Sequence, residues 1–434
     1  MKKSLSITIL AIGTTGDIYP AIALSQQLQV IGHHVTLAAP KYFKDVIVNL
    51  GLEFIPLSID FNRFFQSEEG RRLLSGNNNF FSKRQDTRFR QEFRQTLTEA
   101  WQASQSADVL GLCPLTLWGT HIVEKLNIPC FLFSLYPLTP TRAFPCFQFG
   151  KTSALSNPIS GLFNILSYPV VDFLMWNRER DVLNHFREQD LGLPPLSLMG
   201  QGLSLNMPNF LQQMPILYCY SSAIISPPFD WERYPNPIHI PGFFFLDGAT
   251  SYNPPQDLVD FIRGGPQPIS IGFGSMIALQ PEKLTQIVLD ALDITQQRAV
   301  LISGWTGLSD RNSNPDQLYV INSIPHDWLF PQMAATVHHC GPGTMAAALK
   351  AGVPQVTVPF FFDQRPYAQR LSSLGVAPKS VPYKELTVEH LVTAIEKAVN
   401  TPAIAAKAKD IADVINGENG ARNAAEIIDR HFAN

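Results

Sequence analysis

The sequence predicts an α/β protein of two doubly wound domains, each a parallel sheet with helices on its faces. Three observations carry that expectation. Short apolar runs alternate with segments of helical period in both halves of the chain, glycine-bearing loops stand where a strand gives way to a helix, and a proline-rich stretch divides the two series. With 434 residues, 45% of them hydrophobic, the chain is also too long for one ordinary core.

In the first half, Ser6 to Ile12 reads as a continuous apolar strand and Gly13 to Tyr19 as a loop. Ala21, Leu24, Leu28 and Ile31 then recur at helical spacing until Gly32 ends the run. His34 to Ala39 is the next strand, with others at Asp108 to Leu112 and Pro129 to Phe133. This order opens a parallel sheet and puts the loop at the carboxyl edge, where such sheets take ligands. The loop is Gly13-x-x-Gly16 rather than a three-glycine fingerprint, and the second strand runs into Pro40 instead of an acidic residue, so a nicotinamide cofactor is disfavoured. From about Phe131 to Phe245 periodicity fades and Phe, Pro, Leu and Met accumulate, as in long insertions lining a cavity. Residues 1–243 are read as the first domain and 244–256 as the linker, overlapping a proline-rich stretch from Tyr234 to Pro255.

In the second half, Ile269 to Phe273 leads into Gly274-Ser275, and a helix from about Pro281 buries Leu284, Ile287, Val288 and Ala291. Strands at Ala299 to Ser303, Tyr319 to Ile321, Thr336 to His339 and Gln355 to Pro359 alternate with helices. One helix runs from Thr344 to Ala351 and another is capped by Thr387. Residues 257–417 form the second domain, and a last helix within 418–434 is expected to pack back onto the first. Two such domains facing each other create a cleft, the default place for a ligand.

Charge and cysteine content narrow the function. Lys plus Arg total 33 against 36 Asp plus Glu, a net charge of -3, which supplies no cationic surface for nucleic acid. The five cysteines are far apart, without the paired spacing of a zinc or redox site, and fit a reducing, cytoplasmic compartment. Lys2-Lys3 and the apolar run after them imitate a signal peptide, but Gly-Thr-Thr-Gly-Asp follows in place of a small-residue cleavage site. The longest apolar segment, Pro158 to Trp176, is interrupted by Asn164, Pro169 and Asp172 and does not read as a spanning helix. There is no Asp-x-Asp or His-Glu-x-x-His motif, so no metal site is expected.

Four segments resemble a known family. Ile324-Pro-His-Asp-Trp-Leu-Phe-Pro331, His338-His-Cys-Gly-Pro-Gly-Thr344, Ala351-Gly-Val-Pro354 and Val358-Pro-Phe-Phe-Phe-Asp-Gln364 are similar to the donor-binding signature of family 1 glycosyltransferases. The likeness is greatest to the bacterial and fungal sterol-glucosyltransferase branch and its antibiotic-glycosylating relatives. Gly13-Thr-Thr-Gly-Asp17-x-x-Pro20 resembles the amino-terminal motif of that branch, and Thr139-Pro-Thr-Arg-Ala-Phe-Pro145 its acceptor loop. The resemblance implies a GT-B fold and inverting, metal-independent transfer of a hexose, usually glucose from UDP-glucose, to an acceptor hydroxyl, with no other cofactor. The sequence departs from the branch at Cys340, where Gly is usual, and at Pro342, where Ala is usual.

The residues can be read chemically beside that resemblance. His339, Gly341, Gly343 and Thr344 bring an imidazole, backbone N–H groups and a hydroxyl to a helix terminus, a setting suited to a diphosphate. A tight turn with a packed histidine is the plain alternative. Ser275, between glycines, resembles a second phosphate loop, and Gly16 is placed with the donor. Asp363 and Gln364 can accept from and donate to a sugar's vicinal hydroxyls, although Asp363 would equally cap a helix entered at Pro366. The backbone near Ile324 matches the position that holds the base. Asp17 is the candidate general base; the matching strand end carries Cys113 in place of an acidic partner, and Asp17 would alternatively cap a helix starting near Pro20.

Phe133, Tyr136, Phe144 and Phe147 belong to an aromatic-rich stretch that suggests a small lipophilic or aromatic acceptor. Phe80 to Arg94 interleaves Phe80, Phe81, Phe89 and Phe93 with Lys83, Arg84, Arg88, Arg90 and Arg94, a pattern compatible with peripheral docking at an anionic inner-membrane surface or with a solvated helix. The expectation is a UDP-hexose transferase. Its rivals are a nucleotide-sugar epimerase of the same fold, which the acceptor loop argues against, and a non-catalytic nucleotide-binding scaffold.

Overall fold

The computed structural model describes residues 3–74, 86–147, 158–200, 202–204, 207–246, 252–274, 276, 280–303 and 314–433. The chain divides into two compact units. One comprises Met1–Glu69, Asn78–Leu246 and Glu418–Asn434; the other comprises Gly70–Asn77 and Asp247–Gly417.

In chain order the first series runs β1 (Ser6–Leu10), α1 (Thr15–Val30), β2 (His34–Pro40), α2 (Lys44–Asn49), β3 (Glu53–Leu57), α3 (Phe61–Gln66), α4 (Glu68–Leu74), α5 (Thr87–Ala103), β4 (Val109–Leu112), α6 (Thr120–Leu126), β5 (Cys130–Ser134), α7 (Pro158–Gln189), β6 (Ile216–Tyr218) and β7 (Ile238–His239). The second runs α8 (Gln256–Arg263), β8 (Ile269–Gly272), α9 (Pro281–Thr295), β9 (Ala299–Ile302), β10 (Leu318–Ile321), α10 (His326–Leu329), β11 (Thr336–His338), α11 (Pro342–Ala351), β12 (Gln355–Thr357), α12 (Gln364–Leu374), α13 (Val388–Asn400) and α14 (Pro402–Asn416). The last helix, α15 (Gly420–Phe432), belongs to the first unit.

Both sheets are parallel throughout. The first unit orders its seven strands β3-β2-β1-β4-β5-β6-β7, and β1 lies between β2 and β4 with Ile7 opposite Val35 and Val109. The second orders its five as β10-β9-β8-β11-β12, with Gly272 of β8 opposite His338 of β11. Strand order reverses between β1 and β4 in one sheet and between β8 and β11 in the other, so the loops after these strands occupy the switch points where open sheets bind ligands.

Alternation along the strands sets the first core. Ile7 and Ile9 of β1, Phe131 and Phe133 of β5 and Leu217 of β6 share a buried cluster with Leu24 and Leu28 of α1 and with Ala424 and Ile428 of α15. Phe133 was expected at the acceptor; two residues on from Phe131, it points to the same face and is core. Gly420 lets α15 start against the Gly242–Phe243 backbone, because a Cβ there would collide with the Phe243 carbonyl.

The middle of the chain differs from the expectation of irregular insertions. Pro158–Gln189 is one helix of 32 residues with Pro169 inside it. Its first half buries Ser160, Asn164 and Ser167 beside Tyr168 and Val171, while Leu162, Phe163, Leu166 and Val170 are exposed. The inward face mixes these polar residues with Tyr168 and Val171 while apolar residues also line the outward face, so the usual sequence signal of a helix is blurred.

Of the two readings of the basic-aromatic stretch, its described part fits the solvated helix with one packed face. Phe80, Phe81, Lys83 and Arg84 lie outside the described residues; in α5, Phe89 and Phe93 are buried and Arg88 pairs with Glu92 at 3.1 Å, leaving an ordinary packed helix. Among the described residues, no helix is long and apolar enough to cross a membrane. All five cysteines are free and buried.

Candidate active site

The strongest concentration of polar chemistry in the second unit lies beyond β8 and β11. His338 closes β11. Its Nδ1 accepts from the Cys340 N–H at 3.0 Å, which makes Nε2 the protonated nitrogen facing Gln355 Oε1 at 2.9 Å. Burial pushes its pKa down to about 4, so this ring is a neutral strut. His339 follows and has a different role. It is 7% exposed, its Nδ1 has no hydrogen-bond partner among the described residues, and burial with His338 and His326 nearby pushes its pKa down to about 3.

Two glycines make room for that ring. A Cβ on Gly274 would stand 2.7 Å from His339 Cε1, and one on Gly341 would collide with Nε2. Gly274 also adopts φ +59, a left-handed conformation that disfavours other residues. Ser275 lies outside the described residues.

Helix α11 starts at Pro342, two residues earlier than the sequence suggested. Gly341 is its N-cap and offers no capping side chain, Pro342 sits at the first position, where its missing N–H breaks no helical bond, and the first turn holds no acid. Met345 N–H is the first amide in the ladder, bonding Gly341 C=O at 2.9 Å. The amides of Gly343 and Thr344 precede it at the positive end of the helix, with Gly343 exposed and Thr344 half-buried. Cys340 has φ +66, a left-handed conformation that favours glycine, and its buried thiol is pushed well above its usual pKa.

Asp363 sits at the N-cap of α12 but its side chain makes no capping hydrogen bond. Gln364 turns inward: Oε1 accepts from the Phe360 and Phe361 N–H groups at 2.8 and 3.4 Å, and Nε2 lies 3.3 Å from Met276 Sδ. Its amide therefore holds the loop that presents Asp363. Ile324 buries its side chain with Leu329 and Phe330.

In the first unit, α1 starts at Thr15, so Pro20 lies inside it and Asp17 is its third residue. Thr14 N–H donates to Asp17 Oδ2 at 2.8 Å, and the Thr14 hydroxyl approaches the same oxygen at 3.3 Å in a capping box. Gly13, at φ +135, is required because a Cβ would strike this carboxylate. Desolvation, opposed by the Thr14 bonds, pushes the Asp17 pKa up to about 6. Gly16 meets nothing closer than 3.9 Å, so packing does not demand glycine there.

Comparison with known proteins follows this layout. Residues 7–145 match the glycosyltransferase family 28 N-terminal domain, and residues 286–430 match the erythromycin biosynthesis protein CIII-like C-terminal domain. A sterol 3-beta-glucosyltransferase of Arabidopsis thaliana is 34% identical across 99% of this chain and 66% of its own length; one of Sclerotinia sclerotiorum is 33% identical across 99% of this chain and 29% of its own. The chain belongs to the family 1 glycosyltransferases. It thus spans about two thirds of the plant relative and less than a third of the fungal one.

Solved structures agree on the GT-B fold of this glycosyltransferase. The glycotransferase of kitacinnamycin superposes with a TM-score of 0.67 at 18% identity, covering 99% of this chain and all of that one. Glycosyltransferase VinC, solved in complex with dTDP, gives 0.66 at 18% identity and covers 99% of both.

On its expected acceptor side, the glycosyltransferase keeps only part of the predicted set at the surface. Tyr136 and Phe147 are buried and Phe133 is core, whereas Phe144 is half-buried, edge-on to Phe147 at 5.6 Å and to Trp231 at 6.4 Å. Thr14 and Gly274 were not singled out from sequence. A capping threonine three residues before an acid was the available signal for the first. Among the described residues, no three His, Cys, Asp or Glu side chains group so as to hold a metal ion.

Proposed function

We propose that the protein transfers a hexose, glucose in the first instance, from a UDP-sugar to a hydroxyl of a small lipophilic or aromatic alcohol of sterol or secondary-metabolite type, with inversion and without a metal. One observation carries this reading: the glycine-cradled, buried His339, with an unpartnered Nδ1, beside the uncapped amino terminus of α11. A buried imidazole nitrogen without a partner is costly, and a phosphate oxygen would satisfy it. Because His339 is neutral at pH 7, the positive potential for the diphosphate comes from the helix end, not from the ring.

In this scheme Gly341, Gly343, Thr344, Ser275 and Gly16 accompany His339 at the donor, the Ile324 backbone meets the base, and Asp363 takes sugar hydroxyls while Gln364 fixes its loop. Asp17 accepts the acceptor's hydroxyl proton as the oxygen bonds to the anomeric carbon and the bond to the nucleotide diphosphate breaks. Its pKa of about 6 suits a base working near neutrality. Thr14 holds one carboxylate oxygen, so the proton goes to the other. Phe144 is the aromatic residue that offers acceptor surface.

The test is incubation with UDP-glucose and a panel of sterols and aromatic alcohols, reading UDP release and the anomeric configuration of the product. A β-glucoside is expected from the α-linked donor. Hexose isomerisation without acceptor would instead identify an epimerase, and absence of any turnover despite UDP binding would leave a scaffold.

A further inference from the structure

The strand pairing brings one more side chain to the Asp17 loop. Leu10 of β1 lies opposite Ala38 of β2, and the Ala11 N–H still bonds the Ala38 carbonyl at 3.0 Å. The two strands therefore leave the sheet side by side, one passing into the loop before α1 and the other into the short turn Lys41–Phe43. That turn is also tied beyond β3, where Lys41 Nζ donates to Ser58 Oγ at 3.1 Å. Tyr42 lies within it, 38% exposed, and its hydroxyl donates to the Gly13 carbonyl at 2.8 Å.

The bonded carbonyl is not an isolated acceptor. Gly13 C=O and Thr14 N–H are the two ends of one peptide group, and that N–H donates to Asp17 Oδ2 at 2.8 Å. Because a peptide group is planar, holding its oxygen also sets the direction of its N–H. Glycine restrains its neighbouring peptide least, and Gly13 sits at φ +135. Without a bond at the carbonyl, rotation of this plane would carry the N–H away from Asp17. Hydrogen bonds in series also polarise one another, so a donor on the carbonyl strengthens the N–H as a donor to the carboxylate.

We propose that Tyr42 is a positioning residue for the transfer reaction: its hydroxyl locks the Gly13–Thr14 peptide with the N–H on Asp17 Oδ2, which leaves the other carboxylate oxygen for the acceptor's proton. This inference rests on the reading of Asp17 as base and adds the residue that orients it. A tyrosine that merely satisfied a buried carbonyl would leave Asp17 indifferent to the loss of its hydroxyl.

The titratable groups around this chain of bonds are Tyr42, Cys113 and Asp60. Burial, with the Asp60 and Asp17 charges nearby, pushes the Tyr42 hydroxyl well above its usual pKa, and burial also pushes the Cys113 thiol up, so both keep their protons near neutrality. Asp60 faces Tyr42 from the start of α3, where it accepts from the Arg63 N–H at 3.0 Å. The relayed bond favours the charged carboxylate, so removing the Tyr42 hydroxyl should raise the Asp17 pKa.

The test is Tyr42→Phe, which deletes only the hydroxyl, with thermal melting to confirm folding. Infrared difference titration follows the protonated carboxyl band of wild type and of Tyr42→Phe, each against the same protein carrying Asp17→Asn, so Asp17 is read directly and without turnover. The midpoint should move upward by about half a pH unit in Tyr42→Phe. UDP release with the acceptor panel above should show kcat at pH 7 reduced by about tenfold, with its acidic limb displaced in the same direction. An Asp17 midpoint equal to that of wild type in the folded variant overturns the proposal, as does a displaced midpoint with wild-type kcat. Turnover retained by Asp17→Asn would instead overturn the base reading, and with it any part of Tyr42 in catalysis, while the infrared midpoint would still report the peptide lock.

Discussion

The loop after β1 and the loop after β11 leave equivalent points of their sheets, each beside the reversal of strand order, and each passes into a helix. The first helix meets an anion of its own: Asp17 lies in the first turn of α1 and accepts from Thr14. The second has a glycine cap, a proline at its first position, no acid in its first turn and a buried histidine nitrogen left unpartnered among the described residues. A helix terminus that carries its own carboxylate is poorly suited to a diphosphate, while one without is suited to it. Under the proposed function, the same topology would provide a base in one unit and an anion site in the other.

Breaking the first half of that comparison should give the largest effect. Asp17→Asn keeps an oxygen for the cap but removes the proton acceptor, and we expect kcat to fall by about 10²- to 10⁴-fold with donor affinity unchanged. Steady-state UDP release measures this, and turnover within threefold of wild type would exclude Asp17 as base. Next in size is Gly274→Ala, which forces a side chain into φ +59 and to 2.7 Å from the His339 ring. It should cost about 1–2 kcal/mol of stability and weaken UDP binding, read by calorimetry; an unaltered affinity would mean that the cradle does not set the ring.

The pH profile sharpens the contrast between the two polar groups. His339, with its pKa near 3, does not titrate in the working range, whereas Asp17 loses its acceptor form as pH drops through about 6. The kcat profile should therefore have one acidic limb near 6. Thr14→Ala, by removing a bond that favours the charged carboxylate, should move that limb upward; a limb that stays put would place the titration elsewhere. Since the folded-state pKa of Asp17 is raised from 3.8, protonation of this group favours the fold as pH falls from about 6 towards 4, so the loss of turnover there is not unfolding driven by Asp17. The smallest expected effect is Gly16→Ala, which meets no steric conflict within 3.9 Å and should add about 0.5–1 kcal/mol of stability, scored by thermal melting. Reduced donor affinity in that variant would show glycine retained for close ligand approach.

The sheets were legible because parallel strands are buried on both faces and read as unbroken apolar runs, as in Ser6–Leu10 and Ala299–Ile302. The signature around His339 was legible for a related reason: glycines and a histidine at a strand end report a backbone constraint directly. The short strands β6 and β7 carry too few residues for a period to show. Helix α7 was hidden because it carries apolar residues on both faces, Tyr168 and Val171 inward with Asn164 and Ser167, Leu162 and Leu166 outward, so no single period stands out. Phe133 was misread because aromatic content does not tell which face of β5 a ring joins. The engagement of Gln364 with the Phe360 and Phe361 amides depends on loop geometry with no sequence mark.

The most direct test of the division between the two loops is calorimetric titration of UDP into the wild type, His339→Ala and Asp17→Asn. His339→Ala should weaken UDP by roughly 10- to 100-fold, the effect of losing a hydrogen bond to a charged phosphate, while Asp17→Asn should bind as wild type does. Full-strength UDP binding by His339→Ala, or a comparable loss in Asp17→Asn, would contradict the account.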